Sequence, residues 1–303
     1  MFRALVMWLS RLRITRWVAN HGPGHRVARR FVAGETLEEG IEAARELNAA
    51  GIGAMLDLLG ENVESREQAF AATDAYIAIL KRIRDDDLAD ANISIKLTQL
   101  GLDIGEDLCE ENAERVLEAA GGMLVMIDME AHGYVEATLR VLRRLWRRHE
   151  NVGVCIQAYL RRTGDDVGML AELGCPVRVC KGAYLEPEEI AYAKRAEVSA
   201  GYARAVASLL EAGNEVHIAT HDPKQIEAAA RLIRERRIPR ERFEFQMLYG
   251  IRKDLQQRLS KEGHPVRVYI PYGQEWYPYL TRRLAERPAN LWFFLRALLR
   301  WKR

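Results

Sequence analysis

Eight short apolar runs recur along this chain, and what separates them limits the fold more than any other feature. They lie at 54–58, 93–97, 124–129, 154–159, 177–181, 216–220, 243–248 and 266–270. Most are followed by a stretch with helical periodicity, as at 64–84, 106–120 and 188–212, and a further helix over 35–50, ended by Gly51, precedes the first run. A strand followed by a helix about every 30 residues is what parallel βαβ connections require. Eight such units predict an α/β fold closed as a (β/α)8 barrel, with extra N-terminal helices and a C-terminal helix. A doubly wound open sheet is the alternative, but no Gly-x-Gly-x-x-Gly follows the first run.

Strand alternation then sorts the side chains. Ile93, Ile95 and Leu97, like Val125, Ile127 and Met129, share one face and belong under the helices. The other face points to the barrel axis, and near the C-terminal strand ends it carries Asp57, Lys96, Asp128, Gln157, Arg178, His217 or His221, Gln246 and Tyr269. Converging so many polar groups is costly unless a ligand or a complete network offsets their desolvation. The C-terminal rim is also where barrels of this class place their chemistry.

The segment 269–288 adds a second signal. A strand end at Pro271 and a turn at Gly273 lead into a helix with Pro278 in its first turn and Pro288 as its stop. Tyr279, Arg282, Arg283 and Glu286 share one face of that helix. Adjacent guanidiniums repel unless an anion lies between them, and their planar forks suit a carboxylate or phosphate. The alternative is a solvated face with Glu286 paired to one arginine.

The hydrophobic content of 49% over 303 residues can fill a sizeable core, and by length and composition one large α/β domain is as plausible as two small ones. Cys109, Cys155, Cys175 and Cys180 lack paired metal or redox spacing, which fits a reducing cytoplasm. No run reaches the roughly 20 apolar residues of a membrane span. His217 and His221, four apart on a strand, stand roughly 13 Å from each other at about 3.3 Å per residue, so no shared metal is expected. Glu186, Glu188 and Glu189 read simply as the acidic start of a helix.

Net charge of +2 hides an asymmetry. Residues 1–31 hold seven arginines and no acid, residues 291–303 four basic side chains and no acid, and the rest 34 basic against 43 acidic. Basic ends containing tryptophans suit an anionic membrane surface, whereas the acidic body argues against nucleic acid. The chain therefore divides into a basic N-terminal helical segment at 1–34, a barrel at 35–290 and a basic amphipathic helix at 291–303. The expected location is cytoplasmic. The ends have two readings, peripheral contact with the inner face of the cell membrane or a cap on the barrel.

Arg178-Val179-Cys180-Lys181-Gly182-Ala183-Tyr184, taken with Tyr279-Leu280-Thr281-Arg282-Arg283-Leu284, closely resembles the proline dehydrogenase family. Ser94 to Leu97, Gln157 to Tyr159 and Ala219 to His221 resemble its other strand-end motifs in order, and the length is similar to its bacterial monofunctional form. The resemblance implies a distorted barrel that binds FAD across its C-terminal mouth. It implies oxidation of L-proline to 1-pyrroline-5-carboxylate by hydride transfer, with electrons passed to a membrane quinone and a separate pyrroline-5-carboxylate dehydrogenase downstream. By position, the flavin contacts would be Gln157, Arg178, Lys181, Gly182, Ala183, Thr220, His221 and Glu286. The substrate pocket would comprise Lys96, Asp128, Tyr184, Leu248, Tyr269, Tyr279, Arg282 and Arg283, with Lys96, Asp128, Arg178 and Tyr184 nearest the chemistry. Glu61 resembles the residue that closes over the site by pairing with an arginine. Leu185 departs from the tryptophan found there in many bifunctional members. The competing readings are another flavin barrel enzyme of the folate reductase type and a noncatalytic barrel that binds an acidic metabolite.

Overall fold

The computed structural model describes residues 29–286, with side chains described through residue 281. The proposed end segments therefore lie almost wholly outside the described residues. Helix α1 (Leu37–Ala49) opens on a capping box, in which the Thr36 side chain accepts from the Glu39 amide and the Glu39 carboxylate accepts from the Thr36 amide. The strands that follow are β1 (Gly53–Leu58), β2 (Ala91–Ile95), β3 (Val125–Ile127), β4 (Val152–Gln157), β5 (Val177–Cys180), β6 (Val216–Ala219), β7 (Phe243–Leu248) and β8 (Val266–Tyr272). All pair in parallel in chain order, and β8 closes on β1. The expected barrel is the observed one.

Helices alternate with the strands: α2 (Arg66–Asp85), α3 (Glu106–Ala120), α4 (Val135–Trp146), α5 (Thr163–Leu173), α6 (Arg195–Ala212), α7 (Pro223–Arg236), α8 (Lys253–Lys261) and α9 (Trp276–Glu286). The outward faces of the strands, such as Ile93, Ile95, Val177 and Val179, form one apolar core with the buried stripes of these helices. Several apolar runs extend past their strands because Leu97, Met129 and Tyr159 stay buried after the ladder has ended.

The eighth helix position is where the barrel departs from regularity. α1 packs on β1 and β8 from outside: a Cβ at Gly40 would stand 3.0 Å from the Tyr272 ring and 3.2 Å from Leu56. That is the place a helix after β8 takes in a regular barrel, so α9 does not fill it. Instead the chain turns at Gly273, whose φ of +125° favours glycine, and Trp276 donates to Glu35 at 3.2 Å.

The expectation of a helix from residue 188 is corrected. α6 begins at Arg195, because the preceding backbone is spent on the loop after β4. Arg161 N–H donates to Ile190, Tyr192 N–H donates to Tyr159, and Leu160 bridges Ala191. Glu186 is therefore no helix start; it accepts from the His132 amide at 2.9 Å and contacts the His132 ring.

Candidate active site

At the C-terminal end of the barrel the inward side chains of five strands meet. Lys96, just past β2, contacts Asp57 of β1 and lies 3.2 Å from Asp128, just past β3. Asp128 also accepts from Ser94 at 2.6 Å, from Tyr269 of β8 at 2.7 Å, and from Arg178 of β5. The Arg178 guanidinium donates further to Ser94 at 2.9 Å, touches Met55 sulfur at 3.1 Å and sits 5.3 Å from the centre of the Tyr269 ring. Two carboxylates and two cations thus balance in a site where Asp57 is fully buried and Lys96 and Arg178 nearly so.

This balance sets the protonation states. Burial alone would drive the Lys96 ammonium to lose its proton, but the Asp57 and Asp128 carboxylates outweigh it and hold the amine charged well above its usual range. Burial likewise opposes the Asp128 carboxylate, yet Lys96 and Arg178 together bring it down to about 2. Asp57 goes the other way, because full burial exceeds what Lys96 returns. Burial, with Asp128 and Asp57 close by, keeps the Tyr269 phenol protonated and available as a donor.

Around this cluster stand the residues expected to hold a flavin. Gln157 donates to the Met129 carbonyl at 3.1 Å, while its buried Oε1 accepts no hydrogen bond among the described residues. Gly182 has φ +103°, and a Cβ there would strike the Tyr159 ring at 2.2 Å, so this turn demands glycine. Lys181 pairs with Asp222 at 3.0 Å, and Asp222 also caps α7 through the Lys224 amide. Thr220 is buried and accepts from the Asp222 amide, and His221 Nε2 accepts from the Leu248 amide at 2.9 Å, tying the ends of β6 and β7 together. Ala183, Tyr184 and Leu248 lie at the same end, and Tyr279 is buried on α9. Arg282, Arg283 and Glu286 lie in α9 as expected, but their side chains fall outside the described ones.

Two inward residues are corrected. His221 is the member of the expected pair that stands at the strand end, while the His217 and Gln246 side chains turn away from the cluster: Gln246 contacts His217 at 2.9 Å and Glu244 at 2.6 Å. Glu244 in turn pairs with Arg267, which reaches Asp90 at 2.7 Å. A depression of about 760 Å³ opens there, lined by Asp90, Glu244 and Arg267, away from the strand-end cluster. Sequence reasoning also passed over Glu130, Thr98 and Tyr76. Tyr76 on α2 bonds Gln99 and accepts from the Lys96 amide at 3.4 Å. Its sole signal was a phenol on an apolar helical stripe.

The proline dehydrogenase family model matches residues 40–296. The chain belongs to the proline dehydrogenase family. Proline dehydrogenase of Deinococcus radiodurans is 41% identical over 281 residues, covering 90% of each chain. Proline dehydrogenase 2 of Bacillus subtilis is 37% identical over 298 residues, covering 98% of each. Among solved structures, proline utilization A of Bdellovibrio bacteriovorus, inactivated by N-propargylglycine, superposes with a TM-score of 0.80 at 26% identity. That match covers 86% of this chain, which spans 32% of the longer one. The match to proline utilization A of Corynebacterium freiburgense, at 23% identity and a TM-score of 0.76, bears on the fold alone.

Proposed function

We propose that this protein oxidises L-proline to 1-pyrroline-5-carboxylate, the first step of proline catabolism, using FAD and passing the electrons to a membrane quinone. The observation that carries the reading is the closed cluster of Asp57, Lys96, Asp128, Arg178 and Tyr269 at the barrel mouth of a chain from this family. No side chain can accept a hydride, so the chemistry needs a cofactor. FAD, when bound, supplies that acceptor. The mouth suits such a group: Gln157 has an unused buried acceptor, the Gly182 turn excludes any side chain, and Lys181 offers a cation. Arg178, Ala183, Thr220, His221 and Glu286 complete the set that would hold it.

The chain's own residues prepare the substrate. Loss of hydride from the carbon beside nitrogen needs a free lone pair on that nitrogen, so the site must receive the neutral amine. Lys96 is held as an ammonium and cannot be the base that removes the amine proton. Its role is to neutralise Asp57 and Asp128 so that Arg178 and Tyr269 stay fixed. Because the cluster is balanced, it leaves no spare cation for the proline carboxylate. Arg282 and Arg283 on α9 fill that need, Tyr184, Leu248 and Tyr279 wall the ring, and Glu61 closes over the bound substrate.

The purified protein should be yellow, and anaerobic L-proline should bleach the flavin absorbance. A flavin that stays oxidised with proline and is reduced by NADH would assign the protein to another class of barrel reductase.

A further inference from the structure

Resting on that reading, we propose that Glu130 is a positioning residue for the loop between β1 and α2: through Thr98 it fixes the backbone at Asn62 and so sets where Glu61 stands at the barrel mouth. Glu130 follows β3 and is almost fully buried. Its two oxygens accept from Thr98, one from the amide at 3.1 Å and the other from the hydroxyl at 2.5 Å. With its proton committed to Glu130, the Thr98 oxygen can accept, and it takes the Asn62 amide at 3.0 Å. The Thr98 carbonyl takes the Val63 amide at 3.3 Å. The relay therefore runs from β3 across the end of β2 to the residues that follow Glu61.

Asn62 is the point of leverage. Its φ of +54° lies in the left-handed region, which asparagine tolerates at a cost. Its side chain donates to Asp103 and Tyr134, both at 3.0 Å. The other end of the loop is tied by the Leu59 amide to Tyr272 at 2.8 Å. Glu61 thus sits between two fixed backbone points, and its direction depends on the Asn62 conformation that Thr98 holds.

The groups facing Glu130 are Lys96, Glu61, the Cys109 thiol and the Tyr134 phenol. Burial pushes the Glu130 carboxyl up to about 7; the Thr98 bonds and Lys96 oppose this and Glu61 adds to it. Burial also drives Cys109 above its usual range and Tyr134 to about 12, so both remain protonated at neutrality while Lys96 remains charged. Of Glu130, Cys109, Tyr134 and Lys96, Glu130 is then the one that titrates there. Ionised, it orients the Thr98 hydroxyl with a charge-assisted bond and disfavours approach of the Glu61 carboxylate. Protonated, it keeps one carbonyl acceptor but loses the charge assistance and the repulsion, so both constraints weaken.

The test compares Thr98→Val, Thr98→Ser and Glu130→Gln in the flavin-loaded protein, using proline kinetics and hydrogen exchange of residues 59–64. T98V removes both bonds of the Thr98 hydroxyl, and loss of the neutral one from Asn62, which holds the loop, should raise the KM for proline about fivefold with little change in kcat. It should also speed exchange across 59–64, and T98S should restore both. In the wild type, loop exchange corrected for intrinsic rates should step near pH 7, and in E130Q it should be flat. Wild-type KM and loop exchange in T98V, or an unchanged step in E130Q, would overturn the proposal. Exchange needs no turnover, so a wild-type protein inert toward proline would refute the assigned reaction without touching this result.

Discussion

At the scale of single residues, the cluster shows why type and position in sequence are not enough to assign a role. Lys96 carries a group able to act as a base, but two carboxylates keep it protonated, and its contribution is to make a buried pair of acids tolerable. In the proposed reaction, the balanced charge leaves carboxylate recognition to α9. Arg282→Met or Arg283→Met should therefore raise the Michaelis constant for proline ten- to a hundredfold, the equivalent of about 1.5 to 3 kcal/mol for a charge-assisted contact. Bound flavin should remain, measured by its absorbance per protein. Apoprotein lacking flavin would place these arginines on the cofactor, and unchanged kinetics would return them to a solvated face.

Elements contribute by where they end. β5 stops at Cys180, and the turn that follows turns on a glycine held at φ +103° against the Tyr159 ring. Gly182→Ala adds a methyl group that cannot be placed without moving that ring or the turn, in a region of backbone space costly for any L side chain. The expected result is a folded barrel that loses flavin on gel filtration and melts at lower temperature, by at least about 1 kcal/mol in stability. Full flavin retention in this variant would remove the turn from the cofactor site. The displacement of α9 follows the same logic, since α1 already covers β8 and β1 through the close approach at Gly40.

For the molecule as a whole, the proposed reaction requires a path by which electrons leave. Among the described residues no helix is long and apolar enough to cross a membrane. A quinone acceptor would require the acidic body to approach a bilayer, and the eleven basic residues of 1–31 and 291–303 are suited to mediate it. Leu291, Phe294, Leu295 and Leu298 share helical spacing apart from Arg296 and Arg300. Binding should be tighter to vesicles containing anionic lipid than to neutral ones, and should weaken with salt. Equal partitioning to both, or no loss after deleting 291–303, would make the tail a structural cap.

What the sequence determined by itself was whatever repeats locally. Eight apolar runs with helices between them specify a barrel, and alternation along each run separates core from axis, because both depend on neighbours two to four residues away. The family motifs then located the strand ends. Height along the axis was decided by closure. Gln246 and His217 have the same inward phase as Arg178, and His217 is its register partner, yet their side chains bond each other and Glu244 instead of the Asp128 cluster. Tertiary structure alone joined Asp57 to Lys96, and Glu130 to Thr98 and Asn62, across separations of 30 to 70 residues that leave no local pattern. It also spent the backbone at 187–192 on the β4 loop where acids and periodicity suggested a helix. Local preferences set the elements; the stagger needed to close eight strands decided which of their side chains meet.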